Sequence, residues 1–71
     1  MMTQSEIEKV KVMYPHGTRI RLIKMADPYP VPSGTIGTVI CVDDAGQIHA
    51  KWDNGRSIAV IPGVDDFETI V

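Results

Sequence analysis

Gln47-Ile48-His49-Ala50-Lys51-Trp52-Asp53-Asn54-Gly55-Arg56-Ser57-Ile58-Ala59-Val60-Ile61 places two alternating runs on either side of Asp53-Asn54-Gly55, the pattern of a β-hairpin. Two loops compete for the turn. A two-residue Asn54-Gly55 loop pairs Asp53 with Arg56 and sets Lys51 opposite Ile58 and His49 opposite Val60, which mixes polar with apolar side chains on one face. A three-residue loop, with Gly55 left-handed in a bulge, pairs Ala50 with Ile58 and Ile48 with Val60. A one-residue slip turns every side chain to the other face, so the apolar match selects the three-residue loop. Trp52 alternates with Ile48 and Ala50 and belongs to the core or its rim.

Upstream, Gly34 to Val42 is rich in β-branched residues and reads as a strand with two apolar faces, one toward a barrel interior and the other toward a helix. Gly37 in mid-strand fits a barrel corner or the close approach of another backbone. Cys41, the single cysteine, lies inside this run and reads as a small buried hydrophobe. Asp43-Asp44-Ala45-Gly46 is a turn. Before it, Arg19-Ile20-Arg21-Leu22 alternates as a half-exposed strand, and the phase slip at Ile23-Lys24-Met25 calls for a bulge or bend. Ala26 to Ser33 holds Pro28, Pro30 and Pro32 and reads as an ordered loop anchored through Tyr29 and Val31. Downstream, Ile58 to Ile61 is the fourth strand, Pro62 to Asp66 a turn, and Phe67 to Val71 a short closing strand.

At the N-terminus, Ser5 and Glu8 have capping-box spacing, and Ile7, Val10, Met13 and Tyr14 share one side of a helix that Pro15 stops. Glu6 and Glu8 precede Lys9 and Lys11 at helical spacing, giving weak local pairs. So short a helix is marginal alone and must dock its apolar stripe. The chain is therefore expected to be one mostly β domain over residues 1–71. A short α-helix at about 5–14 precedes a small barrel of four to five strands at about 18–71.

A chain of 71 residues buries only roughly 60% of the surface its unfolded form exposes, which makes a homo-oligomer a natural way to bury more. A lone cysteine permits no internal disulfide, the first residues lack the basic flank and apolar run of a signal peptide, and the cytoplasm is the expected compartment. The net charge of −2 argues against broad nucleic-acid binding without excluding it, because the distribution of charge matters more than its sum.

The string Asp27-Pro28, Val31-Pro32, Gly34, Gly37-Thr38-Val39, Asp43-Asp44, Gly46-Gln47-Ile48, Trp52-Asp53-Asn54-Gly55 and Ile61-Pro62-Gly63-Val64-Asp65 resembles a family of short bacterial and phage proteins classed as a domain of unknown function. Within it, Gly34-Thr35-Ile36-Gly37-Thr38-Val39 resembles the opening strand of KOW-type and other SH3-like barrels. The resemblance covers nearly all of the chain from Tyr14 onward. It implies an SH3-like fold and a setting in Gram-positive bacteria, their phages and conjugative elements, and it implies no activity or catalytic residue.

Candidate chemistry is sparse. His49 reads as a solvated neighbour of Lys51 rather than a base, and one Cys with two distant His does not match zinc-ligand spacing. Asp43-Asp44 and Asp65-Asp66 fit turn chemistry better than a calcium loop. No cofactor or metal is expected, and no enzymatic activity. The candidate binding residues are Arg19 and Arg21 on the first strand and Lys51 and Arg56 on the hairpin, which form a cationic patch if the strands lie side by side. Tyr29 joins them as an aromatic available for stacking or peptide contact, the plainer alternative being a ring that caps the barrel. Three functions follow. The first is a phage or mobile-element accessory or inhibitor module acting through protein–protein contact. The second is a homo-oligomeric sponge for a phosphate-bearing small ligand, and the third is KOW-like nucleic-acid binding, an analogy from fold alone.

Overall fold

The register of the Gln47–Ile61 hairpin organises the sheet. In the computed structural model, which describes residues 2–70, Ile48 pairs with Val60, His49 with Ala59, Ala50 with Ile58 and Lys51 with Ser57. The Trp52 amide donates to the Arg56 carbonyl at 2.8 Å and the Gly55 amide to the Trp52 carbonyl at 2.9 Å. Asp53, Asn54 and Gly55 therefore form a three-residue loop, and Gly55 takes φ 93°. Ile48, Ala50, Trp52 and Val60 are all buried as a result.

The elements run α1 Gln4–Met13, β1 Arg19–Lys24, β2 Ile36–Val42, β3 Ile48–Trp52, β4 Ser57–Val60 and β5 Asp66–Thr69. They form one antiparallel sheet in the order β4-β3-β2-β1-β5. The domain is thus mostly β with a short N-terminal helix. The sheet is open: among the described residues β4 and β5 are its two edges and do not pair with each other. The closing strand comes earlier than expected, at Asp66–Thr69, and Val71 lies outside the described residues. The phase slip in β1 is a register shift between Leu22 and Lys24 opposite β5.

Ile20, Leu22, Met25, Val31, Val39, Ile48, Ala50, Trp52 and Val60 make the core, with Val10, Tyr14, Val42, Ile58 and Phe67 packed against it. Burying a large aliphatic side chain contributes roughly 1.5–3 kcal/mol, so these positions hold the sheet and the helix together. The Trp52 indole is 1% exposed, and its Nε1 donates to the Ile58 carbonyl at 3.0 Å. Gly37, its partner across β2 and β3, leaves room for that ring, and the Lys51 backbone carbonyl also comes close to it.

Two expectations for β2 are corrected. A register shift between Val39 and Cys41 makes Ile40 and Cys41 two successive outward residues, because a bulge changes the parity of every position beyond it. Ile40 is 46% exposed and Cys41 is also exposed, so the second face of β2 is not covered and Cys41 is not a core residue.

The helix starts earlier than Ser5. Thr3 is the N-cap: its Oγ1 accepts from the Glu6 amide at 3.2 Å, and Glu6 Oε1 accepts from the Thr3 amide at 3.0 Å. The capping box is thus Thr3–Glu6, and the bond from the Thr3 amide holds the Glu6 carboxyl below its ordinary value. Ile7 is buried, whereas Met13 is 63% exposed and leaves the expected stripe. Ile7 reaches the β2–β3 turn near Gly46, and Tyr14 meets Phe67 of β5 with ring centroids 5.5 Å apart. The helix therefore spans the open side of the core from that turn to β5. Lys11 bonds Asp44 at 3.0 Å rather than pairing within the helix. Among the described residues, no helix is long and apolar enough to cross a membrane.

Candidate functional site: an ion-paired sheet face and a braced proline loop

Alternation sends Ile20 and Leu22 into the core and turns Arg19 and Arg21 outward. The register extends this outer face across the sheet: Arg19 pairs with Thr38, Thr38 with Lys51, and Lys51 with Ser57. In the adjacent row Glu68 pairs with Arg21 and Arg21 with Ile36. Three of the four expected cations, Arg19, Arg21 and Lys51, thus share one face. Arg56 does not join them. It stands opposite the buried Trp52, so hairpin parity assigns it to the other side of the sheet.

Both arginines on this face already hold carboxylates. Arg19 makes a two-pronged contact with Asp53, Nη1–Oδ1 at 3.0 Å and Nη2–Oδ2 at 2.8 Å, and Nη1 also donates to Thr38 Oγ1 at 2.7 Å. This bond holds the Asp53 carboxyl below its usual value and raises the Arg19 guanidinium. Arg21 donates to Glu68 Oε1 at 2.9 Å. All four side chains are about half exposed, and pairs of this kind contribute little to stability. Their consequence is electrostatic, because an incoming phosphate has to displace Asp53 or Glu68. Lys51 has no ion pair among the described residues.

Tyr29 lies in the loop between β1 and β2, which is braced along its length. Met25 and Val31 are buried, the Ala26 amide donates to Asp65 Oδ1 at 2.8 Å, and the Tyr29 amide donates to Asp27 Oδ1 at 2.8 Å. At its far end the Leu22 amide donates to the Thr35 carbonyl at 2.9 Å and the Gly34 amide to the Leu22 carbonyl at 2.7 Å. Thr35 Oγ1 closes the turn on the Pro32 carbonyl at 2.7 Å. With Pro28, Pro30 and Pro32 fixing φ, this frame holds Tyr29 79% exposed. Its ring does not cap the core.

Asp65 is a residue that sequence reasoning assigned only to a turn. It is 7% exposed; one oxygen accepts from Ala26 and the other from the Ile61 amide, each at 2.8 Å. The carboxylate joins the proline loop to the end of β4. Asp43 keeps its turn role, accepting from Ala45 and Gln47 at 2.9 Å, but also lies 2.8 Å from His49 Nε2. His49 is therefore an oriented side chain rather than a freely solvated one. Among the described residues, no group of three His, Cys, Asp or Glu side chains is placed to hold a metal.

Fold and surface together define a small open-sheet β domain whose outer face is ion-paired and whose one long loop is rigidly framed. The chain belongs to the family described as Domain of unknown function (DUF4314), whose model matches residues 3–70. No curated protein and no solved structure matches the chain.

Proposed function

We propose that this domain is a non-catalytic binding module acting through protein–protein contact, as an accessory or inhibitor protein encoded by a phage or other mobile element. The mobile-element setting rests on the family resemblance. The observation that carries the protein contact is Tyr29, a large amphipathic ring 79% exposed on a loop anchored at both ends. Rigid aromatic side chains bring contact area at low entropic cost, and tyrosine is enriched among residues that dominate binding energy. An SH3-like classification is supported by the meander from β1 to β4 with β5 set beside β1.

The phosphate-ligand reading draws on the same face as Arg19 and Arg21, whose carboxylate partners weaken it. Partner capture from host lysate, comparing the wild-type chain with Tyr29→Ala, tests the main reading. A saturable partner whose affinity drops about thirtyfold on Tyr29→Ala, the loss of roughly 2 kcal/mol at a hot spot, is expected. No saturable protein partner, or equal affinity of the two chains, overturns it.

A further inference from the structure

β4 is an edge of the sheet, and parity sorts its backbone groups. The Trp52 amide bonds the Arg56 carbonyl, and from there Ile58 stands opposite Ala50 and Val60 opposite Ile48. Backbone groups in an antiparallel strand alternate between its two sides, so Arg56, Ile58 and Val60 face β3. Ser57 and Ala59 turn their amides and carbonyls away from the sheet, where among the described residues no further strand lies. The row is closed at both ends. Gly55, at φ 93°, gives its amide to the Trp52 carbonyl. Ile61, the next outward residue, gives its amide to Asp65 Oδ2 and receives the Val64 and Asp65 amides on its carbonyl. What stays open is a short window of donors and acceptors on Ser57 and Ala59.

That window fits itself. In antiparallel pairing about a two-fold axis at Ile58, Ser57 exchanges both bonds with Ala59 of the second copy, and Ala59 does the same with its Ser57. Every open group then has a partner. An axis at Ser57 sets Ala59 against Gly55, whose amide is already used, and an axis at Ala59 sets Ser57 against Ile61, whose amide and carbonyl are both used. The side chains agree with the first register. β4 carries no charged residue, and Ile58, only half-buried at the margin of the core, meets Ile58 of the second copy. The other edge does the opposite: the equivalent pairing of β5 about Phe67 sets Asp66 against Glu68. Like charges directly opposite are destabilising, and charge on an edge strand blocks such pairing.

We propose that β4 is a self-association edge, through which two copies of this chain join by antiparallel β4–β4 pairing centred on Ile58 and make one continuous sheet. The inference stands apart from the Tyr29 contact and uses none of its residues. A contact of so few residues is well below a standard interface, so the dimer is a weak one, with a dissociation constant on the order of 10–100 µM.

Sedimentation equilibrium from about 10 µM to about 1 mM tests it, together with amide hydrogen exchange at the two ends of that range. The wild-type mass is expected to climb from 7.8 kDa toward twice that value. The Ser57 and Ala59 amides are expected to exchange several-fold more slowly in the concentrated sample, while the Ile58 and Val60 amides, bonded to β3, are protected in both. Ala59→Pro removes one outward donor and leaves the β3 ladder intact, as proline does at an edge. With a wild-type circular dichroism spectrum, this variant is expected to stay at the monomer mass throughout. A wild-type chain that remains a monomer at about 1 mM overturns the proposal and leaves the edge to an extended segment of another protein. A dimer whose Ser57 and Ala59 amides gain no protection, or a folded Ala59→Pro chain that dimerises as wild type does, overturns it equally.

Discussion

Gly37 lies so close to the Trp52 indole that the position of its missing Cβ is 2.6 Å from Cε3 and 2.9 Å from Cδ2, with the Lys51 carbonyl oxygen also at 3.2 Å. The ring cannot retreat easily, because Nε1 is bonded to Ile58 and Trp52 is fully packed. Gly37→Ala is therefore expected to lower stability by about 1–3 kcal/mol through overpacking. Urea unfolding measures it, and a wild-type midpoint would show that the indole shifts freely.

Gly55 has nothing near its missing Cβ, yet its φ of 93° is one that L side chains rarely adopt. Gly55→Val is expected to cost on the order of 1–3 kcal/mol from backbone strain alone. Asn54→Ala loses only the exposed bond from the Arg56 amide to Asn54 Oδ1 at 3.1 Å, and about 0.5 kcal/mol is expected. Paired melting curves check the contrast; equal losses would contradict the three-residue loop.

Asp65→Asn keeps the shape of the side chain but turns one acceptor into a donor. Both carboxylate oxygens receive amide hydrogens, so one N–H is left facing an NH2 group in a buried site. A loss of about 1–3 kcal/mol is expected, read by thermal unfolding, while Asp66→Asn at the exposed neighbouring position should change little.

Acid should weaken the fold in a defined direction. Asp43, Asp53 and Glu6 all have carboxyls held below their ordinary values, by His49, Arg19 and Thr3 respectively. A folded value below the unfolded one gives stability that is complete above the unfolded value and is lost as pH falls through the folded value. Denaturant midpoints are expected to hold steady down to about pH 5 and decline below about pH 4. The decline should be shallower in Asp53→Asn, and an unchanged acid limb in that variant would count against the Arg19–Asp53 contribution.

The hairpin was readable because only one register matched Ile48 and Ala50 with Val60 and Ile58, and Gly55 supplied the turn that register needs. The position of the β2 bulge was not readable. Apolar residues fill both faces of Ile36–Val42, so a parity change at Ile40 leaves no trace in the pattern, and Cys41 was placed inward. Helix entry was read two residues late: Thr3–Glu6 has the same spacing as Ser5–Glu8, and it is Thr3 and Glu6 that close the box. That Arg19 and Arg21 share a face followed from alternation, whereas Lys51 joining them and Arg56 standing apart depended on the register of the strands between. The pairing of Arg19 with Asp53 and Arg21 with Glu68 did not follow from alternation either, because it depends on which strands become neighbours. Asp65 resembled any turn aspartate, and its second partner comes from a distant loop.

That shared carboxylate also bears on how the molecule opens. Ala26 and Ile61 are far apart along the chain, yet their amides depend on the two oxygens of one side chain. An excursion that withdraws Asp65 deprotects both amides at once, so the Tyr29 loop and the β4–β5 connection form one cooperative unit in hydrogen exchange rather than two independently fraying segments.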